Sequence, residues 1–283
     1  MLAGDGDVPA RGCNFMAQSL RSGGAPSTWE PDASSAAAAP GESHWTCLEV
    51  CGEQLFVAFG ADGISFSLWG GVVGGAEAGF AALFRQRFGQ SLASAAQPPA
   101  GLVEALRGGS AGHLRFDLSR MTAFSQLVLQ KALEIPPGEV RPYSWLAAEI
   151  GRSGACRAVG TVLARNPIPV LIPCHRVVLS SGRLGNYAGG GDLKARLLRS
   201  EGADLTWLRS CADEGFTLVA SRATGVACYP SCQVARGGDA SQRLGLANLG
   251  AAAALGLRPC WRCRPVDPRA QPARLAPRQA LLT

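Results

Sequence analysis

The spacing of apolar positions changes several times along the chain, and each change marks an element. Residues 1–43 sustain neither a two-residue nor a 3.6-residue period. Gly, Ala, Ser, Pro and Asp dominate there, with an almost featureless run from Ser34 to Pro40, so too little apolar surface is available to offset the entropy of ordering. That segment is predicted to be disordered. From about Trp45 the pattern tightens. Leu55 to Phe59 reads as a strand, Gly60-Ala61-Asp62-Gly63 as a turn, and the alternation of Ile64, Phe66 and Leu68 as a second strand. Phe80, Leu83, Phe84 and Phe88 then share one helical face closed by Gly89, and Gln90 to Pro99 reads as loop. These elements predict a small α/β unit.

From Met121 the period becomes helical. Thr122 can cap a helix that turns Phe124, Leu127, Val128 and Leu133 inward and ends at Pro136-Pro137-Gly138. Ser144 is predicted to cap a short helix through Ile150, with Gly151 at its turn; Ser153 starts another that runs to about Arg165 and stops at Asn166-Pro167. Two short helices joined by a glycine-containing turn resemble a helix-turn-helix whose second member carries Arg157 and Arg165. An αα-hairpin with no DNA role fits the same pattern. Pro167, Pro169 and Pro173 then predict a stiff strand leading to Cys174. A flexible loop from Gly185 to Gly191 and a helix from Leu193 to Ser200 follow.

Composition narrows the class. A chain of 283 residues exceeds the usual single-domain size, so two or three domains are expected. With 47% hydrophobic and 17% charged residues, most of it is able to fold. No apolar run approaches the ~18 residues of a membrane span, and the N-terminus lacks a secretory pattern, which predicts a cytosolic chain. In that compartment ten cysteines are ligands, nucleophiles or core residues before they are disulfides. The net charge of +6 is uneven: residues 1–45 carry −3, 46–115 carry −1, and 116–203 and 204–283 carry +5 each. Such a balance suggests a polyanion, nucleic acid first, although a solvated basic surface gives the same count.

Two clusters carry candidate chemistry. Cys174 stands beside His175, and a thiol becomes a nucleophile when an imidazole, direct or through one water, takes its proton. A buried cysteine next to a surface histidine is the plainer reading of that pair alone. Glu201 falls in the last turn of its helix, facing the negative end of the dipole at a cost of about 0.3–1 kcal/mol; orienting His175 is one way to compensate, and a solvated glutamate is the plainer reading. Cys228 and Cys232, then Cys260 and Cys263, form two close pairs 27 residues apart, the spacing of a tetrahedral zinc site. The segment between them is poor in large apolar residues, so metal binding would supply folding energy. A redox pair at Cys260 and Cys263 is an alternative. His44, Cys47 and Cys51 lack a fourth ligand and read as ordinary residues.

Residues 121–203 resemble the C-terminal domain of O6-alkylguanine-DNA alkyltransferases. They share the Pro-Cys-His-Arg signature at 173–176, the helix-turn-helix, Asn166-Pro167, the Gly-Asn-Tyr loop and the Leu-Leu-x-x-Glu-Gly end. Residues 45–115 are more weakly similar to that family's N-terminal domain. The resemblance implies that Cys174 accepts the alkyl group, with His175 as water-mediated base, Glu201 orienting it and Asn166 holding the turn. Tyr143 would crowd the 3′ phosphate to rotate the base out, Arg157 would fill the gap, Arg165 would lie on the same DNA-binding helix, and Tyr187 would assist at the flipped guanine. The position after that tyrosine, often Ser or Arg in the family, is Ala188.

Thr224 to Cys232, an Ala-rich helix and Leu257 to Pro265 resemble the zinc module of bacterial Ada proteins. That likeness implies Zn2+ on Cys228, Cys232, Cys260 and Cys263, with Cys228 also accepting methyl from a DNA methylphosphotriester. Here the module follows the alkyltransferase domain, its leading helix around Trp207 looks shortened, and a regulatory DNA-binding domain after Thr283 is not expected.

The implied fold class is α/β plus α. It comprises a disordered segment at 1–44, a small ribonuclease-H-like α/β domain at 45–115, a helical winged-helix/helix-turn-helix-like alkyltransferase domain at 116–203, a small zinc-bound α+β module at 204–266 and a flexible tail at 267–283. The implied activity is stoichiometric transfer from O6-alkylguanine, and from O4-alkylthymine. The expected partner is double-stranded DNA with alkylated bases or phosphates, bound by a monomer in the cytoplasm and nucleoid, with no membrane partner. A non-repairing alkylated-DNA sensor with a purely structural zinc module is the competing function.

Overall fold

The computed structural model describes residues 43–109, 111–221, 223–237 and 243–267. The expected disordered segment and tail fall almost wholly outside them. Three antiparallel strands open the fold, β1 (Ser43–Val50), β2 (Glu53–Gly60) and β3 (Gly63–Trp69), followed by helix α1 (Glu77–Phe88). Strand β4 (Leu92–Ser94) then returns parallel to β1, giving the order β3-β2-β1-β4. The stretch expected to be loop therefore contains a strand. At three residues it is too short to show alternation, and its pairing, Ser43 with Leu92 and Trp45 with Ser94, is made by backbone groups. Strand β2 buries the continuous run Leu55-Phe56-Val57-Ala58, as a strand covered on both faces does. Phe56 and Phe66 pack on Phe80 of α1, while Leu55, Val57, Ile64 and Trp69 join a second core shared with the rest of the chain.

Helices α2 (Leu102–Leu106) and α3 (Ala123–Leu133) follow. Thr122 caps α3 as expected, its Oγ1 accepting from Ser125 N at 3.2 Å. The inward face is turned by one position from the expectation: Val128, Leu129 and Ala132 are buried, Phe124 and Leu133 are half-buried, and Leu127 is 52% exposed. Helix α4 (Tyr143–Glu149) begins after Pro142, not Ser144, whose side chain is buried in the first turn and caps nothing. Helix α5 (Cys156–Ala164) begins three residues after Ser153, because Ser153 lies in a turn closed by Ala155 N donating to Arg152 O at 2.7 Å.

Strands β5 (Arg141–Pro142) and β6 (Val177–Val178) pair in parallel, and helices α6 (Gly191–Ser200) and α7 (Leu205–Asp213) complete the middle of the chain. Asp204 caps α7 by accepting from Trp207 N at 2.9 Å. The last unit is a sheet of β7 (Leu218–Ser221), β8 (Val226–Cys228), β9 (Arg243–Leu246) and β10 (Arg258–Pro259) in the order β10-β8-β7-β9. Helix α8 (Gln233–Arg236) follows β8, and the Ala-rich helix α9 (Leu249–Ala254) lies between β9 and β10. One core runs from Leu55 through Trp145 to Tyr229 and Cys263, so the three units pack into a single body. Among the described residues no helix is long and apolar enough to cross a membrane.

Candidate active site and cysteine cluster

The approach to Cys174 is a tight turn and not the expected strand. Prolines at 167, 169 and 173 have no N–H to donate to a ladder. The chain folds back instead, with Ile172 N donating to Ile168 O at 3.0 Å and Val170 at φ 74°, a left-handed value unusual for a β-branched residue. Asn166 holds this turn from inside. Its Nδ2 donates to Ile172 O at 2.8 Å and to Cys174 Sγ at 3.2 Å, and its Oδ1 accepts from Ile168 N at 3.0 Å. Strand β3 holds it from outside: Ser67 N donates to Pro167 O at 2.8 Å and Ser67 Oγ to Pro169 O at 3.1 Å.

Behind the cysteine, His175 is fully buried, with Nε2 2.7 Å from Glu201 Oε1. Glu201 also accepts from Arg176 Nε and Nη2 at 2.9–3.1 Å and from Gly138 N at 3.2 Å. Burial alone would raise this carboxyl, but His175 and Arg176 overcome it and hold the pKa at about 2. These partners also answer the cost of an acid at a helix C-terminus. Burial lowers the pKa of His175 against the opposing pull of Glu201, so the ring is neutral near pH 7. A neutral ring that donates Nε2–H to the carboxylate leaves Nδ1 unprotonated, and Nδ1 has no partner among the described residues.

The Cys174 thiol is pushed up by burial; Asn166 and the ammonium of Lys194 pull it back. Lys194 is itself 1% exposed, donates to Val177 O at 2.6 Å and to Leu184 O, and is lowered by burial to about 8. Two tyrosines border the sulfur. Burial and the nearby Cys174 raise Tyr143 to about 12 and also push Tyr187 well above its ordinary value, and the Tyr187 ring stands edge-on to His175 at 6.4 Å.

Asn166, Cys174, His175 and Glu201 therefore converge, with Tyr143 and Tyr187 beside them. Arg157 and Arg165 lie on the exposed face and end of α5, and Ala188 is exposed. Arg176, Lys194 and Ser67 were not identified from sequence. Lys194 carried a signal, a lysine among the inward positions Leu193, Leu197 and Leu198 of α6.

In the last unit, Cys228 ends β8, Cys232 precedes α8, Cys260 follows β10, and Cys263 lies in a turn closed by Arg264 N donating to Cys260 O at 2.9 Å. Their four sulfurs lie within 4.8 Å of one another. Zinc–sulfur bonds of ~2.3 Å in a tetrahedron place sulfurs ~3.8 Å apart, so the cluster is of a size to hold Zn2+. Sulfurs so close must share protons. Hydrogen bonds to Cys232 and Cys263 push Cys228 up, and those from Cys228 and Cys263 draw Cys232 down, an arrangement a dication relieves by replacing the protons. Among the described residues no other group of three His, Cys, Asp or Glu is placed to hold a metal. His44 stacks on Phe59 and Cys51 donates to Ser200 Oγ, in keeping with their reading as ordinary residues.

Residues 123–203 match the family model of the 6-O-methylguanine DNA methyltransferase DNA binding domain, and residues 209–266 match that of the metal binding domain of Ada. Methylated-DNA–protein-cysteine methyltransferases of Mycobacterium bovis and Mycobacterium tuberculosis are each 45% identical to the chain over 114 residues, 38% of its length and 69% of theirs. The chain belongs to this methyltransferase family. The Salmonella typhimurium member is 44% identical over 109 residues, covering 37% of this chain and 64% of its own. Among solved structures, Mycobacterium tuberculosis OGT in complex with DNA shares 31% identity over 56% of this chain and 92% of that chain, with a TM-score of 0.45. This methyltransferase thus joins the family's Cys-His motif to an Ada-type metal module whose four-cysteine cluster can bind zinc.

Proposed function

We propose that the chain repairs alkylated DNA by moving the alkyl group of O6-alkylguanine, and of O4-alkylthymine, onto Cys174. The observation that carries this reading is the set of polar groups gathered around the sulfur: Asn166 donating to Sγ and, beside the cysteine, His175 held by Glu201 through Nε2, with Nδ1 lacking a partner among the described residues. His175 takes the thiol proton, directly or through one water, and the thiolate attacks the alkyl carbon in line. The S–C bond forms as the C–O6 bond breaks, its electron pair leaves with guanine, and the proton taken from Cys174 neutralises the base. The target atom lies inside a duplex, so the base must be extruded at a cost of a few kcal/mol. Tyr143 crowds the backbone, Arg157 fills the vacancy, Tyr187 borders the extruded guanine and Arg165 adds a phosphate contact. A thioether does not revert, so each molecule turns over once.

In this reading residues 45–115 form a ribonuclease-H-like domain, supported by an antiparallel three-strand meander followed by a helix and a parallel fourth strand. Residues 116–203 form a winged-helix/helix-turn-helix-like domain, supported by α3, α4 and α5, and residues 204–266 the zinc module. The protein works as a monomer on double-stranded DNA in the cytoplasm and nucleoid, one chain carrying both sites.

Cys228, the first cysteine of the module, is the second acceptor, taking methyl from DNA methylphosphotriesters. With a dication bound, four thiolates leave a net −2 that repels a phosphodiester but not a neutral triester. Once one sulfur is a thioether the charge is −1, and affinity for DNA rises. One observation favours a second reading, a purely structural metal site: Cys228 is 2% exposed. Methyl-labelled DNA separates the two. Label on Cys174→Ala that disappears in the Cys174→Ala/Cys228→Ala double variant establishes two acceptors, and no label on Cys174→Ala leaves the module structural. Methyl transferred in excess of one per reactive cysteine defeats the single-turnover mechanism.

A further inference from the structure

The segment between the two cysteine sites makes contacts that neither site requires by itself. Glu139 is 1% exposed and Arg141 2%. They pair with each other, Glu139 Oε2 to Arg141 Nη2 at 2.5 Å, and both then reach into the cysteine module. Glu139 Oε1 accepts from Gln233 N at 3.1 Å and lies 3.7 Å from Arg262 Nε. The Arg141 guanidinium stacks over the Tyr229 ring at 5.5 Å, and its buried Nε has no partner among the described residues. Between them Val140 donates its N–H to Ser231 Oγ at 2.8 Å and accepts from the same hydroxyl at 3.1 Å.

Each of these contacts lands beside a zinc ligand. Tyr229 follows Cys228, Ser231 and Gln233 flank Cys232, and Arg262 precedes Cys263. The same few residues border the Cys174 site. Tyr143, two positions beyond Arg141, opens α4, and Gly138 N donates to Glu201. The far end of α4 is held as well: Arg264, next after Cys263, pairs with Glu149 at 2.8 Å and lies over the Trp145 ring at 5.7 Å.

We propose that the zinc-bound module is a positioning element of the alkyl-transfer site, with Glu139 and Arg141 as the positioning residues that connect them. A module this poor in apolar core keeps loops 229–233 and 262–264 in place only while its four sulfurs are bound. Those loops fix Glu139 and Arg141, and through them the start of α4 and Tyr143. Glu201 does not depend on this path, because His175 and Arg176 hold it independently of Gly138. Metal loss therefore disturbs the handling of duplex DNA and spares the reactivity of the thiol. The pair also acts on the metal, since groups locked behind ligand loops govern how tightly the ligands hold it.

The inference rests on Cys174 being the acceptor, and the test keeps the two apart. Full-length zinc-loaded wild type, Glu139→Gln, Arg141→Met and the milder Ser231→Ala are compared by three measurements. These are label transfer from an O6-methylguanine duplex to Cys174, alkylation of Cys174 by a free O6-alkylguanine base, and zinc release to a chromogenic chelator. Glu139→Gln and Arg141→Met should slow duplex transfer about tenfold and hasten zinc release about tenfold, with free-base reactivity within about twofold of wild type. Ser231→Ala should move the first and third in the same direction by less, and stripping zinc from the wild type should reproduce the loss on duplex. Unchanged duplex transfer after zinc removal overturns the proposal, as does an equal loss on both substrates, which marks general unfolding. Zinc-loaded wild type that carries no label at Cys174 defeats the acceptor assignment instead.

Discussion

Two sulfur sites in one chain are built by opposite means. At Cys174 a single thiol is set among unlike polar groups, where burial favours its protonated form and Asn166 and Lys194 pull the other way. At the cluster four thiols crowd one another, and the repulsion among their anions is what a dication cancels. The first site is built by precise placement of unlike groups drawn from β3, the 166–173 turn and α6. The second is built by repetition of one group. Removing one member should therefore have different consequences: at the relay it removes a proton path, and at the cluster it removes the reason for the module to fold.

The largest effect that separates them is on rate. His175→Ala should slow methyl transfer to Cys174 by about 10²- to 10⁴-fold, the usual worth of a positioned general base, while leaving one zinc per chain. Cys232→Ser should do the reverse to the metal, with zinc content falling to background and Cys174 still reactive toward the free base. A zinc assay and a single-turnover rate on each variant are sufficient. Zinc loss in His175→Ala would break the contrast.

How much of this was legible in sequence divides along the same line. The cluster was readable from spacing alone, since two close cysteine pairs need no knowledge of the fold to suggest a tetrahedron. The relay was readable only where its members sit inside a continuous motif, as Cys174 and His175 do, or where an oddity invites a question, as with Glu201 at the negative end of a helix. Ser67 lies about a hundred residues away on another unit, and Arg176, although part of the Pro-Cys-His-Arg signature, has no role that spacing assigns until Glu201 folds against it. The proline-rich approach was expected to be a strand because stiffness was visible and direction was not; the left-handed Val170 that reverses the chain has no local signature. Leu127 fell outside the core for a similar reason: apolar spacing defines a stripe, but which edge of the stripe faces inward is settled by the partner helices.

A second contrast is in acid. Glu201 is held at about 2, below its ordinary value, so its contribution to stability is complete above the unfolded carboxyl range and is lost as pH falls through the folded value. Wild type should lose roughly 2–3 kcal/mol between about pH 5 and 2 from this group. In Glu201→Gln that pH-dependent loss should be missing from denaturant unfolding, read as the difference between the two proteins at each pH so that acid release of zinc, common to both, cancels. Curves for the two proteins that stay parallel throughout the range would show that Glu201 is not held by His175 and Arg176 in this way.

The smallest effect probes a support that the cluster lacks. Ser67 is 1% exposed and reaches the nucleophile turn from the N-terminal unit, its hydroxyl on Pro169 O at 3.1 Å. A partly buried carbonyl that loses its donor costs at most about 1–3 kcal/mol, part of which falls on the strained Val170 turn and so on the aim of Cys174. Ser67→Ala should lower stability by that amount and slow transfer from duplex and free base alike, because the displaced atom is the sulfur itself and not the group that handles DNA. Zinc release should not change, since among the described residues no hydrogen bond or ion pair joins β3 to the module's ligand loops. A Ser67→Ala protein that releases zinc faster while keeping its transfer rate would reverse the assignment, making the N-terminal sheet a support of the cluster and leaving the turn to hold itself.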